Sequence, residues 1–312
     1  LQVVKGTITP GNIAEFVIYV NMLTWPVTAI GWIASIVQQA AASQKRINEF
    51  LNTQPSIVNL GSNTQDLSGE IEFRNVTFTY PDTGITALKE VNFKLEPGQK
   101  MAIIGRTGSG KTTIADLLLR MYDVTEGQIL LDNQALATHD LPKLRKRIGY
   151  VPQDVFLFSD TISANIAFGK REAPQAEIED FARYASVYND IMELPKGFDT
   201  LVGERGVTLS GGQKQRVSIA RALIKKPDIV ILDDCLSAVD TNTEKQVLEY
   251  FSGALAQKTA IIITHRIYSL LQFDKIIVME DGRIAEEGTH EMLAQEEAGL
   301  YARLNRLQLR EK

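Results

Sequence analysis

The octapeptide GRTGSGKT, residues 105–112, constrains the fold of this chain more than any other segment. Its pattern of Gly, four residues and Gly-Lys-Thr is typical of a loop that binds phosphate groups. Glycines allow backbone N–H groups to curl around an anion, and a helix that begins there directs its positive end toward the same point. An apolar strand pattern over residues 100–105 precedes the loop, and an amphipathic helical pattern follows it. The segment therefore predicts a nucleotide phosphate site rather than a simple turn.

Two side chains of this loop have predicted roles of their own. Lys111 is expected between the β- and γ-phosphates of a nucleotide, and the Thr112 hydroxyl is expected to bind Mg²⁺. The predicted nucleotide-binding residues of the loop and of the helix start are Gly105, Arg106, Thr107, Gly108, Ser109, Gly110, Lys111, Thr112 and Thr113. The loop alone is equally compatible with a kinase or a nucleotide switch.

Short apolar strand patterns alternate with helical segments from about residue 71 onward. The strand patterns cover residues 71–80, 91–95, 100–105, 128–132, 147–152, 228–233, 259–264 and 275–280. This alternation predicts an α/β fold with a largely parallel sheet. Residues 174–194 lack strand signals and predict a helical insertion.

The N-terminal part has a different composition, because residues 12–37 are mostly apolar and carry one charge, Glu15. A bilayer core needs about 20 such residues in a helix. The run is longer than an ordinary buried helix of a soluble protein, which is the alternative, and it predicts a transmembrane helix. Polar residues and Pro26 interrupt it, which favours a helix that faces protein or a cavity. Lys45 and Arg46 follow the run and indicate that this end lies on the cytoplasmic side.

Charge and cysteine content exclude other classes of protein. The net charge of −5 gives no electrostatic reason to expect nucleic acid as a partner. Cys235 is the single cysteine, so an internal disulfide is excluded and a reducing compartment is expected.

The chain begins with Leu1 rather than Met and lacks a signal-peptide pattern. We therefore expect it to be part of a longer polypeptide.

Polar side chains follow two of the predicted strands. Asp233 and Asp234 close one apolar run, and His265 closes another. Ligands of open α/β sheets bind at the carboxyl ends of the strands, so these side chains are expected near the phosphate loop. Because successive residues of a strand point to opposite faces, only one of the two aspartates is expected to face a metal ion.

The segment TLSGGQ, which begins at Thr208, predicts an unusual helix start. Ser210 and Gln213 have the spacing of a capping box. Gly211 and Gly212 are poor residues for a first helical turn, and they are favourable where another backbone or an anion must approach closely. A capped helix start with bare N–H groups is an anion site.

The segment LSGGQ, residues 209–213, resembles the signature of ABC-transporter ATPases, and the other motifs of that family follow in the expected order. The resemblance implies that Tyr80 stacks on adenine. It implies that Gln153 contacts Mg²⁺ or the attacking water and that His265 contacts the γ-phosphate. Each of these residues alone is commonplace; their order after a phosphate loop carries the prediction.

The resemblance also implies roles for three acidic residues. Asp233 holds Mg²⁺ through water, Asp240 lies in the segment known as the D-loop, and Asp234 occupies the position of the glutamate that orients the attacking water. Aspartate is one methylene shorter, and a misplacement of about 1 Å costs about 100-fold in rate. A slow ATP site is therefore expected, rather than a site that tolerates the replacement.

The implied fold is an α/β P-loop NTPase, the ABC ATPase fold, with a mostly parallel sheet, an antiparallel β subdomain and a helical subdomain at about residues 154–225. Residues 1–55 correspond to the last transmembrane helix of an exporter half-transporter and its cytosolic extension. Residues 56–70 form a linker, and residues 71–312 form the nucleotide-binding domain. The protein is then multi-pass in the cell membrane, with its ATPase domain in the cytoplasm.

In this family two such domains face head to tail and bind ATP and Mg²⁺ between them. Ser210 and Gly212 would therefore bind the γ-phosphate held by a second half-transporter. Gly211 and Gln213 are the other nucleotide-binding residues predicted in the signature. ATP hydrolysis would drive export of a cargo that the sequence does not identify. Both a homodimer and a heterodimer stay open; Asp234 favours a heterodimer, whereas the retained His265 fits a slow site less well.

Three other functions are weighed against an exporter. A soluble ABC-type ATPase would lack the apolar N-terminal run. An importer ATPase is usually a separate chain, whereas here the run and the ATPase motifs are continuous. A switch protein with a dead site would tend to lose Lys111, Gln153 or His265, and all three are present.

Overall fold

The computed structural model describes residues 9–59, 61–63, 67–203, 209–236, 241–255, 257–265, 272–296 and 298–310. The chain divides into two units, Leu1–Ser56 and Ile57–Lys312. The first unit contains helix α1, Pro10–Asn52. The helix ends at Asn52, and Thr53 already has an extended backbone.

Helix α1 is long enough to cross a bilayer with several turns to spare. Its 43 residues extend over roughly 65 Å at about 1.5 Å per residue, against a hydrocarbon core of about 30 Å. Thr9 caps its start, because the Thr9 Oγ1 atom accepts a hydrogen bond of 3.2 Å from the Asn12 backbone N–H. A window of 18 residues in this helix has a mean hydropathy of 1.5, and none of that window is buried. Its length and composition fit a membrane span.

The second unit contains two sheets and a set of helices. Its strands are β1 (Ile71–Thr79), β2 (Thr86–Leu95), β3 (Lys100–Gly105), β4 (Glu126–Leu131), β5 (Gln134–Ala135), β6 (Ile148–Val151), β7 (Ile229–Asp233), β8 (Thr259–Thr264), β9 (Lys275–Glu280) and β10 (Arg283–Gly288). Its α-helices are α2 (Lys111–Leu118), α3 (Leu141–Arg147), α4 (Ile162–Ala167), α5 (Gln175–Tyr184), α6 (Tyr188–Glu193), α7 (Gly211–Leu223), α8 (Thr241–Ala254), α9 (His290–Gln295) and α10 (Leu300–Arg310).

The larger sheet has the strand order β10-β9-β3-β8-β7-β6 and is parallel except for the β9–β10 pair. The smaller sheet has the order β2-β1-β4-β5 and is antiparallel. Helices α4, α5, α6 and α7 lie between β6 and β7 in the chain. The predicted fold class, an α/β fold with a mostly parallel sheet and an antiparallel β region, is confirmed.

Strand β3 shows why the central strands read as continuous apolar runs. Met101 and Ile103 pack in a core that also contains the antiparallel sheet. Ala102 and Ile104 point to the opposite face and pack with Tyr301 of α10. Because layers cover both faces of this strand, apolar residues occupy every position instead of alternating with polar ones.

A third core cluster joins the large sheet to α4, α5, α7 and α8. It contains Cys235, which lies two residues beyond β7 and is only 4% exposed. Burial raises the pKa of the Cys235 thiol well above its ordinary value. The single cysteine of the chain is therefore a packing residue.

The described residues of the segment 57–70, here called the leading segment, are fastened to the second unit before β1 begins. The Asn59 Oδ1 atom accepts a hydrogen bond of 2.9 Å from the Leu141 backbone N–H. The carboxylate of Asp132 accepts hydrogen bonds from the backbone N–H groups of Ser68 at 2.7 Å and Glu70 at 2.8 Å. This part of the predicted linker therefore packs as part of the second unit.

Candidate nucleotide-binding site

The carboxyl ends of β3, β7 and β8 open into a cleft of about 760 Å³. The size is in the range of small-molecule and cofactor sites, and the position is the usual one for a ligand of an α/β sheet. Of the residues predicted from the sequence, the cleft is lined by Tyr80, Thr107, Gly108, Gly110, Lys111, Thr112, Thr113, Gln153, Asp233, Asp234 and His265. Gly105, Arg106 and Ser109 belong to the same loop but do not line the cleft.

Two glycines allow the phosphate loop to pass close to neighbouring backbone. At Gly110 the φ angle is +98°, and a Cβ atom would lie 2.5 Å from the carbonyl oxygen of Ala87. At Gly105 a Cβ atom would lie 2.4 Å from the carbonyl oxygen of Met279. Any other residue would push the loop away from β2 and β9, so these glycines set the position of the loop between strand and helix.

Lys111 is curled back over the loop that precedes it. Its Nζ atom donates hydrogen bonds to the carbonyl oxygens of Gly105 at 2.9 Å and Arg106 at 2.7 Å. Burial lowers the pKa of Lys111, while the negative charges of Asp233 and Asp234 oppose that shift. The site therefore holds a cation, partly stripped of water, within a few ångströms of backbone groups suited to an anion.

Asp233 ends β7 as a buried carboxyl group that is 1% exposed. Burial raises the pKa of Asp233, the Thr112 hydroxyl lowers it by hydrogen bonding to the carboxylate, and Asp234 raises it further. The Oδ2 atom has no hydrogen-bond partner among the described residues. A buried carboxylate oxygen without a partner is costly, which is the situation that a bound cation relieves.

The residues at this point fit Mg²⁺, which prefers oxygen ligands. The Thr112 hydroxyl and the Asp233 carboxylate line the same cleft. Gln153 lines the same cleft and supplies an amide oxygen. We therefore retain Thr112, Gln153 and Asp233 as the residues that would hold the metal ion.

Asp234 departs from the geometry that the sequence predicted. Its φ angle is +43°, in the left-handed region, so it does not continue the extended conformation of β7. Strand alternation therefore does not apply to it, and both aspartates line the cleft. Asp is among the residues that tolerate this conformation best.

Two further residues of the cleft come from segments that follow strands. Gln153 lies two residues beyond β6, and His265 lies immediately beyond β8; both are exposed. Parallel strands end at the same edge of a sheet, which is why residues so distant in sequence meet here. Tyr80, just beyond β1, lines the cleft as a half-buried side chain.

The predicted signature residues lie apart from this cleft, at the start of α7. The capping box is confirmed: Ser210 Oγ accepts a hydrogen bond of 3.2 Å from the Gln213 N–H, and Gln213 Oε1 accepts one of 3.0 Å from the Ser210 N–H. Ser210 and Gly211 are exposed, and neither they, Gly212 nor Gln213 line the cleft. Asp240 lies outside the described residues.

Sequence reasoning missed the residue that anchors the start of α7. Asp190 of α6 accepts two hydrogen bonds from the guanidinium of the buried Arg216, at 2.9 Å and 3.2 Å. The same carboxylate accepts a hydrogen bond of 3.1 Å from the Gln213 side-chain amide. Bidentate pairing of this kind fixes orientation, but a lone Asp in a helix carries no signal for it.

Lys89 and Asp281 also line the cleft without having been predicted. Both lie where two hairpin segments meet, since the Lys89 N–H donates a hydrogen bond of 2.8 Å to the carbonyl oxygen of Gly282. The Asp281-Gly282 pair has the composition of a tight turn, which indicates a hairpin but not its position beside the phosphate loop.

The Asp233→Asn change should weaken nucleotide binding only when Mg²⁺ is present. The amide has the shape of the carboxylate but lacks its charge, so we expect about a tenfold or larger loss of affinity with Mg²⁺ and little change in EDTA. Titration with a fluorescent nucleotide under both conditions measures this. Asp116→Asn, which removes another partly buried carboxylate, should leave the metal dependence intact. An equal loss in both conditions would contradict the metal role.

Comparison with known proteins agrees with the resemblance to ABC-transporter ATPases. Residues 88–237 match the sequence profile of the family described as ABC transporter. The chain is 46% identical over 308 residues to the multidrug resistance-like ATP-binding protein MdlA of Escherichia coli (strain K12), which covers 98% of this chain and 52% of that protein. It is 40% identical over 307 residues to the ATP-dependent lipid A-core flippase of Pseudomonas fluorescens (strain Pf0-1), covering 98% of this chain and 51% of that protein.

A solved structure shares the fold. The structure of a bacterial Atm1-family ABC exporter with ATP bound superposes with a TM-score of 0.83 at 37% identity, over 97% of this chain and 53% of that chain. The present chain thus spans about half the length of the relatives that it matches. The resemblance drawn from the sequence motifs is confirmed.

Proposed function

The chain belongs to the ABC transporter family, and from that premise we propose that its second unit binds and hydrolyses ATP to drive export of a substrate across a membrane. The observation that carries the proposal is the presence, in one chain, of the cleft around Lys111 and Asp233 and of the apolar helix α1. Helix α1 would then be the last span of a multi-pass protein in the cell membrane. The second unit, the nucleotide-binding domain, would lie in the cytoplasm.

The residues of the cleft divide into binding and chemical roles. Tyr80 takes the base, and Lys111 binds the phosphates in place of the loop carbonyls that it now contacts. Mg²⁺, when bound, would neutralise phosphate charge. Asp234 and His265 would orient the attacking water and the terminal phosphate, because both line the cleft beside Asp233.

The signature residues would complete the site of a second half-transporter. Ser210 and Gly211 are exposed at a capped helix start and do not line the cleft of their own chain. A helix start with unpaired N–H groups attracts an anion, and a phosphate held by a partner chain supplies one. Bound ATP would therefore join two domains, and hydrolysis would separate them.

The Ser210→Trp change should block ATP-driven dimerisation without preventing ATP binding. In a fragment of residues 57–312, which keeps the leading segment and its contacts, a large side chain at this exposed position would separate the two domains. We expect at least a tenfold loss of dimer at saturating ATP, measured by light scattering, with an unchanged dissociation constant for ATP.

Ser210→Ala is the matched control, because it also removes the helix cap, worth about 1 kcal/mol, but adds no bulk. It should retain more dimer than the Trp variant. Loss of ATP binding in the Ser210→Trp monomer would mean that the signature acts within its own chain.

The ATP site of this chain is proposed to be the slow one of a heterodimer. Asp234 stands where the family has glutamate, and its shorter side chain is additionally held on a left-handed backbone.

The alternative to an exporter is a soluble ABC-type ATPase, which would have no use for an apolar helix of 43 residues. Insertion of the whole chain into lipid vesicles, tested by alkaline extraction, separates these two functions.

A further inference from the structure

The ring of Tyr80 is held from three directions by side chains of its own chain. It packs edge to face on Phe78, with ring centroids 4.8 Å apart and an interplanar angle of 77°. It packs in the same manner on Tyr122, at 5.4 Å and 85°. Its hydroxyl oxygen lies 3.0 Å from the Thr113 Oγ1 atom, at hydrogen-bonding distance. The orientation of the ring in the cleft is therefore fixed by two ring contacts and one hydrogen bond.

The hydrogen bond joins two residues of the cleft that lie far apart in the sequence. Thr113 lies in the first turn of α2, two residues after Lys111, and is only 4% exposed. Tyr80 lies 33 residues earlier in the chain, beside the antiparallel sheet. The Tyr80 side chain, which is proposed to contact the base, is thus hydrogen-bonded directly to the helix that carries Lys111.

We propose that Thr113 is a positioning residue that orients the Tyr80 ring for the base of the nucleotide, an inference that rests on the proposed ATP site. Stacking needs only an aromatic face, which phenylalanine also offers, so stacking does not account for the hydroxyl group of Tyr80. The hydroxyl gives the ring an anchor on α2. A side chain already held in its binding orientation loses less rotational freedom on binding, which is worth about 2- to 10-fold in affinity.

A different role would be a direct contact between the Thr113 hydroxyl and a phosphate. The two roles predict different dependence on the base. If Thr113 acts through Tyr80, removing its hydroxyl weakens only ligands that contain a base. If Thr113 acts on a phosphate, the same change weakens every polyphosphate ligand.

The test compares Thr113→Val, which keeps the shape of the side chain, with the native residue in the whole chain in detergent micelles. Calorimetry with Mg²⁺ measures binding of a non-hydrolysable ATP analogue and of inorganic tripolyphosphate. We expect the variant to bind the ATP analogue about 2- to 10-fold more weakly and tripolyphosphate with unchanged affinity. Thr113→Ser keeps the hydroxyl and should restore the affinity for the analogue.

A double-mutant cycle tests whether the effect passes through Tyr80. Tyr80→Phe retains stacking but loses the anchor, so it should weaken the ATP analogue as much as Thr113→Val does. The double variant should be no weaker than either single variant. Tyr122→Phe removes a hydroxyl from the same aromatic group and should keep the native affinity. Tyr80→Phe also provides the test on its own if burial of a valine at position 113 impairs folding.

Three results would overturn the proposal. They are an equal loss for the ATP analogue and tripolyphosphate, no loss for either ligand, and additive losses in the double variant. Failure of the proposed ATP site would look different, because the native chain would then bind neither ligand.

Discussion

Lys111→Ala is expected to abolish tight Mg-ATP binding, with at least about a 100-fold increase in the dissociation constant. Of the two cations of the loop, Lys111 lines the cleft and Arg106 does not. The Lys111 Nζ atom is held by two carbonyl oxygens at the point where phosphates would enter. Removing one partner of a buried, hydrogen-bonded charge pair costs about 2–5 kcal/mol, or about 30- to 4,000-fold in affinity, and the expected loss falls within that range. Titration with a fluorescent nucleotide measures the two dissociation constants.

Lys89→Ala is the matched control for this prediction. Lys89 also lines the cleft and also changes the net charge by one, but it belongs to β2 rather than to the loop. It should alter affinity far less than Lys111→Ala. Comparable affinities for the native chain and Lys111→Ala would contradict the assignment of the loop as the phosphate site.

Asp234→Glu is expected to speed ATP hydrolysis at this site by about 10- to 100-fold. The additional methylene carries the carboxylate toward the expected position of the attacking water, and a displacement of about 1 Å is worth about 100-fold in rate. Charge is unchanged, so the affinity for Mg-ATP should change little. Turnover is measured with the partner site disabled, or directly if the protein is a homodimer.

Asp234→Asn is the control. Asparagine has about the size of aspartate and also tolerates a left-handed backbone, but it carries no charge. It should retain nucleotide binding and lose the hydrolysis that remains at this site. The positive φ of +43° opposes part of the gain from glutamate, since longer side chains adopt this conformation less readily. A glutamate variant no faster than the native chain would remove the basis for a slow site.

Much of the candidate site could be predicted because its residues occupy ends of parallel strands. An apolar run such as residues 259–264 reads as a buried strand, and the polar residue that closes it must then lie at the ligand edge of the sheet. His265 and Asp233 are brought together in this way, although they are distant in sequence. The capping box at Ser210 is equally local, since it depends only on spacing.

Other features depend on contacts or backbone angles that no local pattern specifies. The contact between Tyr80 and Thr113 joins a residue beside one sheet to a helix beside the other, so spacing in the chain carries no signal for it. The left-handed conformation of Asp234 breaks the alternation on which the prediction depended. Strand β10 was missed because half of its residues are exposed and half are charged, which weakens the apolar pattern.

The burial of Cys235 has a practical consequence for spectroscopy of this chain. Thiol-reactive dyes and spin labels attack the thiolate, and a buried thiol with a raised pKa offers little of it. The native chain should therefore give almost no labelling background. A cysteine introduced at an exposed position such as Met192 would then carry the probe alone, and distances between two such probes could follow the approach of paired domains without mutating the core.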